Sequence, residues 1–265
     1  MWDLHMHSQF SGDSDAPTED MIKAALAKGL DGICLTEHED IDYPDDPTLF
    51  LLDLKSYHAT VSSLQKKYAD KLPILYGVEL GLQPHLKEAH LALTNSEPLD
   101  FVIASSHVVH GQDPYYPAYF EGRSEKEAYL EYFESILENI VAFDDFDVYG
   151  HLDYVVRYGP NKNHFYKYED YAEVIDEILR TLIAKGKGLE VNTGGFKYGL
   201  GHPNPTEDIL KRYRALGGEI LTTGADAHVP EHVAYDFCKL PALLKECGFS
   251  YYTVFRERKA RFIPI

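Results

Sequence analysis

Short strand-forming segments alternate with amphipathic helical patterns along almost the whole of this 265-residue chain, and that alternation narrows the possible folds more than any other feature. Strands are expected at Trp2 to His5, Asp31 to Thr36, Pro73 to Leu80, Asp100 to Ala104, Asp147 to Gly150, Gly188 to Asn192 and Glu219 to Thr223. Helical patterns fill Thr18 to Lys28, Thr48 to Tyr68, Ser124 to Phe143, Glu169 to Ala184, Pro205 to Leu216 and Glu231 to Cys247. Thr18 is the expected cap of the first helix and Gly29 its stop. His90 to Leu93 reads as a small excursion, and Ser250 to Phe255 as a last strand. Nothing resembling a Pro/Gly/Ser-rich linker, a repeat or a low-complexity tract divides the pattern, so one domain over 1–265 is expected. About seven strand–helix units in one domain favour an α/β barrel with a closed parallel sheet over an open one.

Residue types that bind metals fall at the ends of these strands. His5 and His7 close the first; in a strand, residues i and i+2 face the same way, about 6 to 7 Å apart along the chain. His38 follows the second strand, Glu79 closes the third, His107 follows the fourth and His151 the fifth. Asp226 and His228 follow the seventh. The C-terminal ends of strands in an α/β barrel converge on one mouth, which is where such folds carry their chemistry. A single His beyond a strand is more often an ordinary loop side chain, but the set as a whole reads as a metal site. His58, His85, His90, His164 and His232 lack that placement and read as surface residues, while His110 and His202 stay open.

A formal charge of −18 argues against binding nucleic acid, which needs clustered Lys and Arg. Cys34, Cys238 and Cys247 are too few and scattered for a disulfide framework or a four-cysteine zinc site, as in a reducing cytoplasm. No signal peptide and no membrane-length apolar run is evident, so a soluble cytoplasmic protein with no membrane partner is expected.

The segments His5-Met6-His7, Thr36-Glu37-His38, Gly77-Val78-Glu79, Ser106-His107, Gly150-His151-Leu152-Asp153 and Asp226-Ala227-His228 together resemble the PHP (polymerase and histidinol phosphatase) superfamily. More narrowly, Gly150 to Asp153 with Arg157, and Glu190-Val191-Asn192-Thr193, resemble the histidinol-phosphate phosphatases. The resemblance implies a single metallophosphoesterase domain built as a distorted (β/α)7 barrel, holding two to three divalent ions (zinc, manganese or iron). Carried over residue by residue, it implies one metal on His5, His7, Glu79 and Asp226. A second would lie on Glu79, His107 and His151, and a third on Asp13, His38 and His228. Asp13, in Ser11-Gly12-Asp13-Ser14, also reads as an ordinary turn residue.

Such a cluster attracts a phosphate dianion and lowers the pKa of bound water, so a metal-bridging hydroxide can attack phosphorus. Arg157, six residues beyond His151, suits bidentate phosphate capture, and Lys197 would add a second contact. Asp226, His228 and a metal-bound water are candidates for the acid that protonates the leaving group. The loop Tyr115 to Glu121 offers an acidic and aromatic wall through Glu121, although a lid packed by its aromatics explains the loop equally well. The expected activity is hydrolysis of the small phosphate ester L-histidinol phosphate, in histidine biosynthesis. The alternatives are a PHP phosphoesterase acting on nucleotides or DNA ends, and a non-catalytic PHP scaffold.

Overall fold

The computed structural model describes residues 1–265. Seven parallel strands pair in the order of the sequence: β1 (Trp2–Asp3), β2 (Gly32–Glu39), β3 (Ile74–Gly81), β4 (Phe101–Ser105), β5 (Val148–Tyr149), β6 (Gly188–Asn192) and β7 (Leu221–Gly224). The seam between β1 and β7 is closed by backbone hydrogen bonds from Leu4 to Thr223 (2.9 Å), Asp226 to His5 (2.9 Å) and His7 to Ala227 (2.8 Å). The result is the α/β barrel that the alternation predicts, in the distorted (β/α)7 form that the resemblance implies. Every residue of β2 and β3 is buried, as expected of parallel strands covered on both faces.

The connections are α1 (Thr18–Ala27), α2 (Leu54–Tyr68), α3 (Lys87–Ser96), α4 (Glu125–Ala142), α5 (Ala172–Ala184), the short α6 (Gly194–Lys197) and α7 (Glu207–Ala215). A final helix, α8 (Leu240–Glu246), leads to a hairpin of β8 (Tyr251–Arg256) and β9 (Lys259–Pro264). Ser124 caps α4 in a reciprocal capping box with Glu127, and Gly29, at φ +67°, ends α1. No helix is long and apolar enough to cross a membrane.

Several boundaries differ from the sequence reading. Thr18 is the first helical residue of α1 and not its cap; its hydroxyl meets that of Ser8 at 2.9 Å. The helix expected from Thr48 starts at Leu54, where Asp53 accepts from the Ser56 N–H. Pro44, Pro47 and an Asp46 side chain that accepts from the Thr48 N–H keep the preceding stretch in a loop. The excursion at His90 is part of the ten-residue α3. The helix expected over Glu231 to Cys247 breaks at Ala234 and Asp236, both with positive φ, leaving two 3-10 turns and α8.

The hairpin packs on the end of the barrel opposite the ligand-bearing strand ends. Leu221, at the start of β7, donates its N–H to the Thr253 hydroxyl at 3.2 Å. Arg258, in the β8–β9 turn, reaches Asp147 (2.7 Å) and Asp145 (3.1 Å) and donates its backbone N–H to the Asp100 carbonyl (2.9 Å).

Candidate metal centre

Glu79 lies at the middle of the barrel mouth, paired in register with His38 on the adjacent strand. Its Oε2 lies 3.0 Å from His5 Nε2, 3.3 Å from His7 Nε2 and 3.2 Å from His38 Nδ1. Its Oε1 lies 3.0 Å from His151 Nε2 and 3.4 Å from His107 Nε2, and accepts from the Ser105 hydroxyl at 2.6 Å. Asp226 Oδ1 faces His7 Nε2 (3.5 Å), His228 Nδ1 (3.6 Å) and His5 Nε2 (3.8 Å). Asp13 Oδ2 lies 3.0 Å from His228 Nε2 and 3.8 Å from His38 Nε2. All nine residues with which the sequence reading built its metal sites are therefore gathered at one end of the barrel.

Other side chains aim these imidazoles. His5 Nδ1 meets Glu190 at 2.7 Å, and His107 Nδ1 meets Asp40 at 2.8 Å. Ser11 gives its one hydroxyl hydrogen to Glu37 at 2.6 Å, so the 3.1 Å contact with His7 must carry the proton on His7 Nδ1. His5, His7 and His107 thus direct Nε2 at Glu79, the pattern of histidines held for a metal by a hydrogen bond on the far nitrogen.

Packing and backbone conformation fix the frame. A Cβ on Gly224 would lie 2.3 Å from Glu190 Oε1 and 2.4 Å from the Cβ of His5, so only glycine lets β7 approach so closely. His151 and Asp226 have φ of +23° and +54°. Such conformations cost about 1–3 kcal/mol in non-glycine residues and collect at functional sites.

Burial opposes ionisation of Glu79 and Asp226, yet the surrounding imidazoles, above all His5, hold both carboxyls well below their usual range. Burial likewise works against protonation of His7, but the facing carboxylates of Asp226 and Glu79 overcome it and raise its pKa to about 9. His38 is pushed down to about 4 by burial and by the charge of His7.

This donor set fits divalent ions. His5 Nε2, His7 Nε2, His38 Nδ1, His228 Nε2 and Glu79 Oε2 are buried and lack a hydrogen-bond partner, an arrangement that is costly unless a cation satisfies them. Ligand atoms fall within 4.8 Å of one another in three groups: His5, His7 and Glu79; His38, Glu79 and His107; and His7, His38 and His228. These groups differ in detail from the sets implied by resemblance: the first lacks Asp226, the second has His38 in place of His151, and the third has His7 in place of the half-exposed Asp13.

Above this cluster is a cavity of about 330 Å³ with Asp13, His38, His107, His151, Asp226 and His228 in its floor. Tyr43, Tyr115, Tyr116, Tyr154, Tyr158 and Tyr198 line its walls. Arg157 enters from one side, buried, with its guanidinium 4.9 Å from the Tyr198 ring and 5.3 Å from the Tyr154 ring. It donates to Asp226 (2.8 Å), Asn204 (2.8 Å) and Asn192 (3.0 Å), which leaves two of its five N–H groups free.

Two expected substrate contacts lie elsewhere. Lys197 is behind the cavity, where its ammonium donates to the Asp226 carbonyl at 3.2 Å and burial lowers its pKa. Glu121 is exposed and off the cavity; Asp113 and Asp40 line it instead, and Asp113 accepts from the Tyr43 hydroxyl at 2.5 Å and the Tyr115 N–H at 2.7 Å. His90 is fully buried, contrary to the surface reading, because α3 turns it inward beside Phe143. His58, His85, His164 and His232 keep some exposure, and His110 and His202 lie off the cavity. The sequence reading passed over Asp40, Asp113 and Ser11. Asp40 alone had a signal, standing two residues after His38 as His7 stands after His5.

The PHP domain model matches residues 3–194. The chain is 34% identical to the histidinol-phosphatase of Lactococcus lactis over 261 residues, covering 97% of this chain and 95% of that protein. A solved structure of the Lactococcus lactis histidinol phosphate phosphatase, complexed with zinc, L-histidinol and phosphate, superposes with a TM-score of 0.92 at 34% identity, covering 98% of each chain. A structure from Listeria monocytogenes shares the fold at 20% identity, with a TM-score of 0.78 over 90% of this chain and 99% of the other. With a family model that matches most of its length, and with the metal-binding residue types of that family gathered at its barrel mouth, the chain belongs to the PHP domain family.

Proposed function

We propose that the chain, acting as one domain over 1–265, hydrolyses L-histidinol phosphate to L-histidinol and phosphate, a step of histidine biosynthesis in the cytoplasm. The observation that carries the reading is the arrangement of five imidazoles around Glu79 beneath a cavity that Arg157 enters. It is supported by near full-length similarity to a histidinol-phosphatase whose structure contains zinc, L-histidinol and phosphate.

In this reading, His5, His7, Glu79 and Asp226 hold one ion, Glu79, His107 and His151 a second, and Asp13, His38 and His228 a third. Two to three ions of zinc, manganese or iron suit these nitrogen and carboxylate donors. Divalent ions supply charge that offsets a phosphate dianion and lowers the pKa of water beside phosphorus.

The remaining steps belong to the chain itself. Arg157 is held by three partners and turns its two free N–H groups to the phosphoryl oxygens, a fixed fork that loses little freedom on binding. Asp226 is kept ionised by the imidazoles and Arg157, so it is a poor proton donor; His228 can protonate the departing alkoxide only while its Nε2 is not committed to the third ion, because its Nδ1 faces the Asp226 carbonyl at 3.1 Å. The tyrosine walls exclude water, and the Asp113 carboxylate, with no Lys or Arg partner, suits a substrate that carries positive charge at its far end. Lys197, outside the cavity lining, holds Asp226 by donating to its backbone carbonyl.

Phosphate release from a panel of phosphomonoesters tests the substrate. With zinc or manganese present, L-histidinol phosphate is expected to give the highest kcat/KM. Turnover of other esters with none of L-histidinol phosphate overturns the reading.

A further inference from the structure

Glu190 does not line the cavity, yet its carboxylate reaches three parts of the site. Oε1 accepts from His5 Nδ1–H at 2.7 Å. Oε2 accepts from the backbone N–H of His151 at 2.9 Å and from the side-chain amide of Asn192 at 3.1 Å. Asn192 in turn presents its carbonyl to Arg157 Nη2 at 3.0 Å and to the Gly194 N–H at 2.9 Å. Both neighbours of that carbonyl are donors, so the amide NH2 must face Glu190. Glu190 is itself only 1% exposed, and its Oε1 occupies the space that a Cβ on Gly224 would need.

We infer that Glu190 is a positioning residue that fixes the His5 tautomer, pins the left-handed backbone of His151 and aims Arg157 through Asn192. One carboxylate then governs both metal retention and phosphate capture. The inference rests on the metal and phosphate roles proposed above. With its Nδ1 committed to Glu190, His5 can offer only the Nε2 lone pair, and that atom is the one directed at Glu79 and Asp226. The His151 N–H, fixed by a charged acceptor, keeps that residue at φ +23° with its ring against Glu79. The Arg157 fork keeps its register because Asn192 cannot rotate without facing a donor to a donor.

Glu190→Gln separates this role from mere filling of space, because it keeps the shape and changes the hydrogen-bond pattern. An amide NH2 turned to His5 requires Nδ1 to be unprotonated and moves the proton to Nε2, where the ligand lone pair is needed. Turned the other way, it meets the His151 N–H and the Asn192 NH2, donor against donor.

Zinc affinity by chelator competition and inhibition of the zinc-loaded enzyme by inorganic phosphate are the readouts. E190Q is expected to bind zinc about 10- to 100-fold more weakly and to need more phosphate for inhibition. Asn192→Ala is expected to weaken phosphate inhibition and to lower zinc affinity less than E190Q does, because the bond between Glu190 and His5 Nδ1 is kept. Zinc affinity equal to wild type in E190Q overturns the inference; a wild-type chain that binds no zinc overturns the underlying site as well. Should E190Q fail to fold, nitrogen NMR of the zinc-loaded wild type decides: a His5 proton on Nδ1 with zinc on Nε2 is expected, and a proton on Nε2 contradicts it.

Discussion

Arg157 Nη1 donates to Asp226 Oδ2 over 2.8 Å, and the two side chains are only 1% and 8% exposed. The cation that faces the cavity and the carboxylate that faces His5 and His7 therefore act as one unit, and neither can be removed without leaving the other a buried charge.

Arg157→Ala should lower kcat/KM for L-histidinol phosphate by about 100-fold, roughly 2.7 kcal/mol of transition-state stabilisation. Arg157→Lys should recover only part of this, because a single ammonium cannot serve Asp226, Asn204 and Asn192 together. Steady-state phosphate release measures both, and wild-type kcat/KM in R157A contradicts the assignment.

Glu79→Gln leaves the size of the side chain intact but halves its capacity to accept and removes its charge from among five imidazoles. Elemental analysis of the purified variant should show fewer bound ions than wild type, and turnover should fall more than about 100-fold, beyond the range typical of outer-shell residues. Full metal content with full activity would remove Glu79 from the centre.

The strand-end ligands were legible because each stands at a fixed offset from a recognisable strand, and closing the barrel is enough to bring them together. Their supporting partners were less so. Asp113 and Ser11 come from loops whose path is set by tertiary contacts, and Glu121 seemed the acidic wall residue only because it shares a loop with Tyr115 and Tyr116. His90 reads as surface if His90 to Leu93 is a short excursion, but it lies in the ten-residue α3, which has a buried face. The β9 arm was not anticipated, since its residues are mostly exposed and carry no alternating pattern.

His90 offers a test away from the metal centre. Burial lowers its pKa to about 4, below the ordinary value of 6.5. The unfolded chain therefore takes up a proton between these values that the folded one does not, so stability falls as pH drops from 6.5 towards 4. For the metal-free protein, this group alone should cost about 2 kcal/mol between pH 7 and pH 5. Urea unfolding of wild type and His90→Leu at both values checks it: the variant should lose less on acidification, and equal losses contradict the prediction.

Arg258→Ala probes the opposite end of the barrel. Its loss leaves Asp147 buried without its cation, and stability should fall by about 1–3 kcal/mol with kcat unchanged. Denaturant unfolding and steady-state kinetics on the same preparation report both, and a large drop in kcat would show that the hairpin is coupled to the site.

Titration of the chelator-treated protein with zinc or manganese, followed by phosphate release from L-histidinol phosphate, tests the central claim most directly. Activity is expected to rise from background and saturate when two to three ions per chain are bound, in keeping with the three groups of ligands at the barrel mouth. Equal turnover by metal-free and metal-loaded protein, or none by the loaded protein, would contradict it.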